Sequence, residues 1–341
     1  MDQNPALETV RAAIELACRA PSVHNTQPWR WLLGERSIHL MADRTRQVPV
    51  TDPDGRDLLI SCGAVLHHLR VALAGCGWAS TVRYLPNPAD RDHLAAVTVE
   101  PCTPTPDDIE LSAAMTRRRS DRRRSAPWSV PAQHLDLLVA VAERAAPVRL
   151  VPVRDRQARI ELARVMADTA ALQEADPGYR TELAVWSGRS HGAREGVLAD
   201  SAPAGPAVHG DTVMRAFAGG TLPVDGSGAE DDLGELLVVA TTADEPRNRL
   251  HAGEAASALM LTATVLNLAT CPLSQATELP ASRASMTDRV LGWDAVAQLV
   301  IRVAWAPVEA GPLPYSPRRP LGDVLAFLPG ATPRRGGRRL R

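Results

Sequence analysis

Apolar positions recur at helical spacing in four stretches of the chain. In residues 5–21 (PALETVRAAIELACRAP), Leu7, Val10, Ile14, Ala17 and Cys18 form one stripe. In residues 131–147 (PAQHLDLLVAVAERAAP), Leu135, Leu138, Val139 and Ala142 do the same. Each stretch carries Pro near its start, where a missing N–H costs nothing, and a second Pro that stops the helix. Residues 63–77 (GAVLHHLRVALAGCG) and 253–267 (GEAASALMLTATVLN) are apolar on most faces, which predicts helices at the centre of a fold. They end in Gly77 and Asn267, the two residue types that accept a left-handed C-cap. Strand-like runs follow at 81–85 and 95–99 in one case and at 296–303 in the other, with a further run at 233–241.

The pairing of these stretches suggests two related halves, 1–105 and 108–330, joined by the Pro-rich junction EPCTPTPDD. A duplication within one chain mimics a homodimer; chance similarity between Ala-rich helices is the alternative. The second half carries an extra stretch, 179–228, rich in Gly, Ala, Ser and His. Long irregular segments of this kind serve as lids over sites or as surface without fixed structure. The tail 331–341 is basic and of low complexity and is expected to be solvated and disordered.

Hydrophobic residues make up 45% of the 341 and charged residues 23%, the balance of a soluble globular protein. No apolar run approaches the ~18 residues that span a bilayer. The opening MDQNPALETV lacks a basic segment followed by an apolar one, so no secretory signal is expected. Five scattered cysteines without a CxxC suit reduced thiols, and together these features predict a cytoplasmic protein that engages no membrane. A net charge of −1 argues against nucleic acid as a partner. All 38 basic residues are Arg, which removes Schiff-base and P-loop lysine chemistry. GxGxxG is absent, and the nine histidines show no metal-ligand spacing, so no metal is expected.

Three polar constellations remain. In ACRAPSVHNTQPWRW, residues 17–31, a helix gives way to Ser22, Asn25 and Gln27 in a tight loop, with Trp29 and Trp31 on one face of the next strand. Amides donate and accept, matching the edge of a heterocycle; the same residues also suit a turn followed by core tryptophans. In MTRRRSDRRRSAPWSVP, residues 115–131, every position from Arg117 to Ser125 except Asp121 is Arg or Ser. Guanidinium forks and a hydroxyl can cradle a phosphate, helped by a following helix N-terminus if that faces the anion; a solvated basic loop is the alternative. In SPRRPLGDVL, residues 316–325, Arg318 and Arg319 could return to the same anion.

APSVHNTQPWRW resembles the APSxxNxQPWxF motif of the FMN-dependent nitroreductase family. RRSDR at 118–122 is similar to that family's RRSxR, and RRPLGDV at 318–324 to its RKPLxEV. The match spans residues 5–325 and looks closest to the Acg-like branch, in which two nitroreductase halves are fused. The resemblance implies an α+β fold: an internally duplicated pseudo-dimer of two mostly antiparallel sheets packed on the central helices 63–77 and 253–267. It implies FMN as cofactor and NAD(P)H as electron donor. Hydride would pass through flavin N5, by a ping-pong mechanism, to a nitroaromatic, quinone or similar small electrophilic acceptor. No catalytic side chain is implied.

Carried over by position, Arg118, Ser120 and Arg122 would hold the phosphate or ribityl end, joined by Arg318 and Arg319. Pro21, Ser22, Asn25 and Gln27 would line the ring, with His24 inside the same loop and Leu273 and Ser274 contributing backbone contacts. The first half lacks RRSxR, and the second reads PVRLVPVRD where PSxxN is expected. One composite flavin site per chain is the inference, in a monomeric pseudo-dimer or a further homodimer. If the insertion covers the flavin, storage of FMN or a stress-dormancy role with little turnover is the alternative, and a scaffold without flavin a third reading.

Overall fold

Two helices cross at the centre of the molecule at a pair of glycines. A Cβ placed on Gly63 would lie 1.9 Å from the carbonyl oxygen of Leu250, and one placed on Gly253 would lie 1.9 Å from that of Ile60. No other residue type permits backbones this close. The protein is described by a computed structural model covering residues 4–224, 232–292, 294–308 and 311–331.

In chain order, α1 (Leu7–Ala17), β1 (Trp29–Leu33), β2 (Ile38–Ala42), α2 (Arg56–Gly75), β3 (Trp78–Tyr84) and β4 (His93–Pro101) come first. They are followed by α3 (Pro106–Arg117), α4 (Ala132–Ala145), β5 (Arg149–Pro152), α5 (Arg156–Ala175) and α6 (Pro177–Trp186). Next are β6 (Ala207–His209), β7 (Thr212–Met214), β8 (Glu235–Thr241), α7 (Pro246–Val265) and β9 (Leu268–Leu273). The chain finishes with α8 (Gln275–Glu278), α9 (Pro280–Ser285), β10 (Val296–Trp305), α10 (Leu321–Val324) and β11 (Leu325–Phe327).

The fold is α+β, with α2 and α7 crossing between two sheets. One sheet has the order β11-β1-β2-β4-β3 and the other β5-β8-β10-β9. All their pairings are antiparallel except β1 with β11. Alternation along β1 sends Trp29 and Trp31 into the first core, where both are fully buried with Ile14, Leu40 and Leu66. The second core joins α4 and α7 to the other sheet through Leu138, Leu259 and Ile301. A third lies beyond that sheet, under α5, around Leu162, Met166 and Val238.

The central helices begin one to two turns earlier than the apolar run alone predicts, because α2 opens on Arg56 and Asp57, which are charged yet buried. By length and composition α2 could cross a membrane; here most of it is buried in the protein interior. Only the end of the Pro-rich junction is helix: Glu100 and Pro101 close β4, residues 102–105 are irregular, and Thr105 and Asp108 form a capping box that starts α3, with Pro106 in its first turn. The insertion opens as helix α6, continues through turns into the β6–β7 hairpin, and has its own small core of Tyr179, Leu183, Val197, Ala202 and Phe217. Its expected last residues, 225–228, and positions 332–341 of the expected basic tail lie outside the described residues. After β10 the chain leaves the second sheet and returns to the first, where β11 adds parallel to β1.

Candidate functional site

The loop that follows α1 is wound tightly. His24, Asn25 and Gln27 have φ of 44°, 55° and 52°, the left-handed region that side chains other than Gly rarely adopt. Such strain persists only where surroundings over-determine it. Ser22 Oγ accepts the N–H of Gln27 at 3.0 Å, and Ser61 Oγ on α2 accepts that of Val23 at 3.1 Å. Asn25 Nδ2 donates to the carbonyls of Gly196 and Pro317, and its Oδ1 accepts from Arg318. The loop thus ties α2, the insertion and the C-terminal segment together.

The arginine run sorts itself by partner. Ser120 bridges to Thr270, and the Asp121 N–H donates to the Thr270 carbonyl at 2.9 Å, so the run travels beside β9. Asp121 takes the guanidinium of Arg123. Arg119 stacks over Tyr315 at 3.9 Å. Arg122 lies 4.7 Å over the Phe217 ring and donates to the Ser201 carbonyl. Arg118 is buried, and its Nε and Nη1 have no hydrogen-bond partner among the described residues. Arg318 donates only to neutral oxygens, those of Asn25 and of the carbonyls of Cys18, Arg19, Ala20 and Pro317. Among the described residues no carboxylate pairs with Arg118, Arg122 or Arg318, while the acids nearby are engaged by Arg123 and Arg319. Burial, with Arg119 adding, pushes Arg118 down to about 10; burial and then Arg118 push Arg318 down to about 9. Uncompensated buried cations of this kind are completed by an anion.

These groups meet around one cleft with two chambers. The outer chamber, about 490 Å³ of empty space, is lined by Asn25, Arg118, Arg119, Arg318 and, from the insertion, Val197 and Ser201. The inner chamber, about 890 Å³, is mostly apolar, with Met166, Met214, Met260 and Phe217 on its walls. Pro21, Ser22, Ser120 and Arg122 line both, so the two are continuous. A charged vestibule opening on an apolar slot suits a small amphipathic molecule with an anionic end.

Of the residues singled out in the sequence, Pro21, Ser22, His24, Asn25, Arg118, Ser120, Arg122, Leu273, Ser274 and Arg318 line the cleft. Two do not. Gln27 turns away, donating to the carbonyls of Asn25 and Arg194 and accepting the N–H of Arg319. Arg319 reaches Asp43 and the carbonyls of Gln27 and Asp323 instead of the anion side. Asn25 belongs to the charged chamber, not the apolar one, because its amide is spent on holding Arg318. The helix after the arginine run, α4, contributes nothing to either chamber. PVRLVPVRD becomes β5, an edge strand of the second sheet and not a lining loop.

Sequence reading missed Asp57, Arg215 and Phe217. Arg215 pairs with Glu278 and reaches Tyr179 and Ser274. Phe217 meets His24 edge-on at 6.1 Å, and burial, then Arg215 and Arg122, keep that imidazole well below its ordinary value.

A polar cluster gathers around Glu254 on α7. Tyr84 donates to Glu254 at 2.8 Å, Arg70 pairs with Glu254 at 3.0 Å, His251 packs edge-on against Tyr84, and Arg247 lies over that ring.

Comparison with known proteins gives full-length relatives in Mycobacterium tuberculosis. The chain is 41% identical over 326 residues to "Putative NAD(P)H nitroreductase Rv3131", covering 95% of this chain and 92% of that protein. It is 36% identical over 325 residues to the protein of the same description named acg, covering 93% and 95%. The uncharacterised protein Rv3127 is 35% identical over 344 residues. Among solved structures, the FMN-dependent nitroreductase NfnB from Mycobacterium smegmatis in complex with NADPH aligns with 63% of this chain and 96% of its own, at 16% identity and a TM-score of 0.40. No family model matches the chain.

Proposed function

Because the chain belongs to the NAD(P)H nitroreductase family, we propose that its cleft binds flavin mononucleotide and passes reducing equivalents from a reduced nicotinamide nucleotide to a small electrophilic acceptor. One observation carries this reading: the buried Arg118, with two donor nitrogens that find no partner among the described residues, stands beside Arg318 and Arg122 with no described carboxylate paired to any of the three. That arrangement fits a phosphate monoester, and the apolar inner chamber fits a flat tricycle.

In this reading Arg118, Ser120 and Arg122 grip the phosphate and ribityl end. Arg318 adds its charge while its donors brace the loop carbonyls. Pro21, Ser22, His24, Leu273 and Ser274, which line the inner chamber, would lie around the ring. Held by these residues, the flavin would supply two-electron, hydride-transfer chemistry. The protein's part is to bind, orient and keep water out. His24, neutral at pH 7, leaves the chamber without an added cation, and Phe217, Met214 and Met260 limit solvent.

A second reading draws on the insertion. Members of the stretch 197–217 wall both chambers, and just before it the carbonyls of Gly196 and Arg194 accept from Asn25 and Gln27 of the loop. Such a cover favours flavin sequestration over rapid turnover. Purified protein loaded with flavin mononucleotide and mixed with NADPH separates the two: loss of the visible flavin band, restored by a nitroaromatic, supports the reductase; a band that persists with NADPH yet bleaches in Phe217→Ala supports the cover. Failure to retain flavin at all overturns both.

A further inference from the structure

Asp57 lies in the first turn of α2 and is among the residues that line the inner chamber. It is only 4% exposed, and neither of its carboxyl oxygens meets a hydrogen-bond donor among the described residues. The other acids around it are committed. Glu278 accepts from Arg215, Ser274 and Gln173, and Asp52 accepts the Leu58 N–H. The nearest cation, Arg56, comes no closer than 3.9 Å. Its own donors go to Asp244, Gln298 and the carbonyls of Thr277 and Ala297. A charged Asp57 would therefore be a buried anion without a donor, next to two further carboxylates, an arrangement proteins avoid by keeping the proton.

We propose that Asp57 carries its proton at neutral pH and is the acid that protonates the acceptor reduced in the inner chamber, a role that rests on the oxidoreductase reading above. The groups facing it are Asp52, Glu278, Arg56 and Arg215. Burial foremost, then Asp52 and Glu278, hold its carboxyl well above the ordinary range against the pull of the two arginines. The step balances for each acceptor class. A quinone going to hydroquinone, an electron-poor alkene going to the alkane, or a nitro group going to nitroso and water takes up one hydride and one proton. The hydride brings the electron pair and originates in the nicotinamide nucleotide, which is oxidised. The proton leaves Asp57 as its O–H bond breaks and the new bond to the acceptor forms. The carboxylate left behind regains a proton from solvent before the next turnover. A carboxyl held neutral in an apolar slot is suited to this task, because its acid form is the populated one at working pH.

The test uses the full chain and two variants, Asp57→Asn and Asp57→Ser, so that a folding defect in one leaves the other. Infrared difference spectra of flavin-free wild type against either variant come first. A carboxylic-acid carbonyl band that shifts in D2O and vanishes in the variant is expected; a carboxylate signature in its place overturns the proposal. Next, flavin-loaded protein is reduced with dithionite, which bypasses the donor site, and mixed with a quinone and a nitroaromatic at several pH values. The variants are expected to bind flavin mononucleotide within about threefold of wild type, yet reoxidise about 100-fold more slowly. They should also lose the fall in rate seen in wild type as Asp57 ionises. Reoxidation at the wild-type rate in both variants overturns the proposal. A wild type that holds no flavin overturns the oxidoreductase reading and the acid's role together, while the infrared result still reports the proton.

Discussion

Arg118 and Arg318 donate to one and the same oxygen, the main-chain carbonyl of Arg19, at 3.3 and 2.8 Å. Two guanidinium groups from distant parts of the chain are thereby held side by side with only neutral acceptors around them. In a protein without ligand this is a standing electrostatic cost, and it is relieved when an anion arrives.

Replacing Arg118 with Met removes the charge and keeps much of the volume. The ligand-free variant is expected to melt at or above the wild-type temperature, since a buried unpaired cation is lost. Its affinity for flavin mononucleotide and for inorganic phosphate should fall by about 10- to 100-fold, the worth of roughly 1.5–3 kcal/mol for hydrogen bonds to charge. Thermal melts and titration calorimetry check both halves. Wild-type phosphate affinity in the variant contradicts the assignment of Arg118 to the anion.

Asn25→Ala deletes one acceptor and two donors that join the loop to Arg318, Pro317 and Gly196. The expected loss of stability is about 2–3 kcal/mol. Asn25→Gly should lose less, because glycine accepts the left-handed φ of 55° without strain. In both, amide hydrogen exchange of residues 187–224 should speed up, because the anchor of the insertion is gone. Unchanged exchange there counts against Asn25 as the anchor.

Acid should unfold this protein by way of its buried histidines. His24 and His68 are held well below the ordinary value of 6.5, and His67 near 3, in each case by burial first. Above pH 6.5 neither the folded nor the unfolded chain holds these protons, so they contribute no slope. Below it the unfolded chain takes them up and the folded one does not, so stability falls with pH by up to about 1.4 kcal/mol per unit for each histidine. Denaturant unfolding at pH 7 and 5.5 should show the loss, and His24→Gln should reduce it by one histidine's share.

At the helix crossing, Gly63→Ala or Gly253→Ala drives a methyl group into the carbonyl oxygen of Leu250 or Ile60. Backbone cannot yield as a side-chain tip does, so each substitution should cost at least about 3 kcal/mol and abolish soluble expression or lower the melting point sharply. A near-native melting curve is incompatible with this packing.

The sequence exposed the crossing helices because α2 and α7 lack a polar face over most of their length, and it exposed the chemistry of the loop and the arginine run because residue type limits what a side chain can do. Direction was not legible. Gln27 and Arg319 have the right groups, but backbone geometry at φ 52° and the pull of Asp43 turn them outward. Asp57 precedes the apolar run at 63–77, and an acid in that position carries no signal of its own. Nothing local signals that α7, β9 and the insertion enclose it. The start of α3 was hidden for a different reason: its prolines look like a linker, while Thr105 and Asp108 supply a cap of the kind that begins a helix.

Asn25 and Arg318 stand 293 residues apart in the chain yet hold each other at 3.0 Å, and β11 pairs with β1 just beyond them. The consequence belongs to biosynthesis. While the polypeptide is still emerging from the ribosome, the early loop lacks the arginine that stiffens it, and the charged vestibule lacks one wall. On the function proposed above, a nascent chain would lack a completed grip for the flavin, and loading is expected to follow delivery of the segment around Arg318.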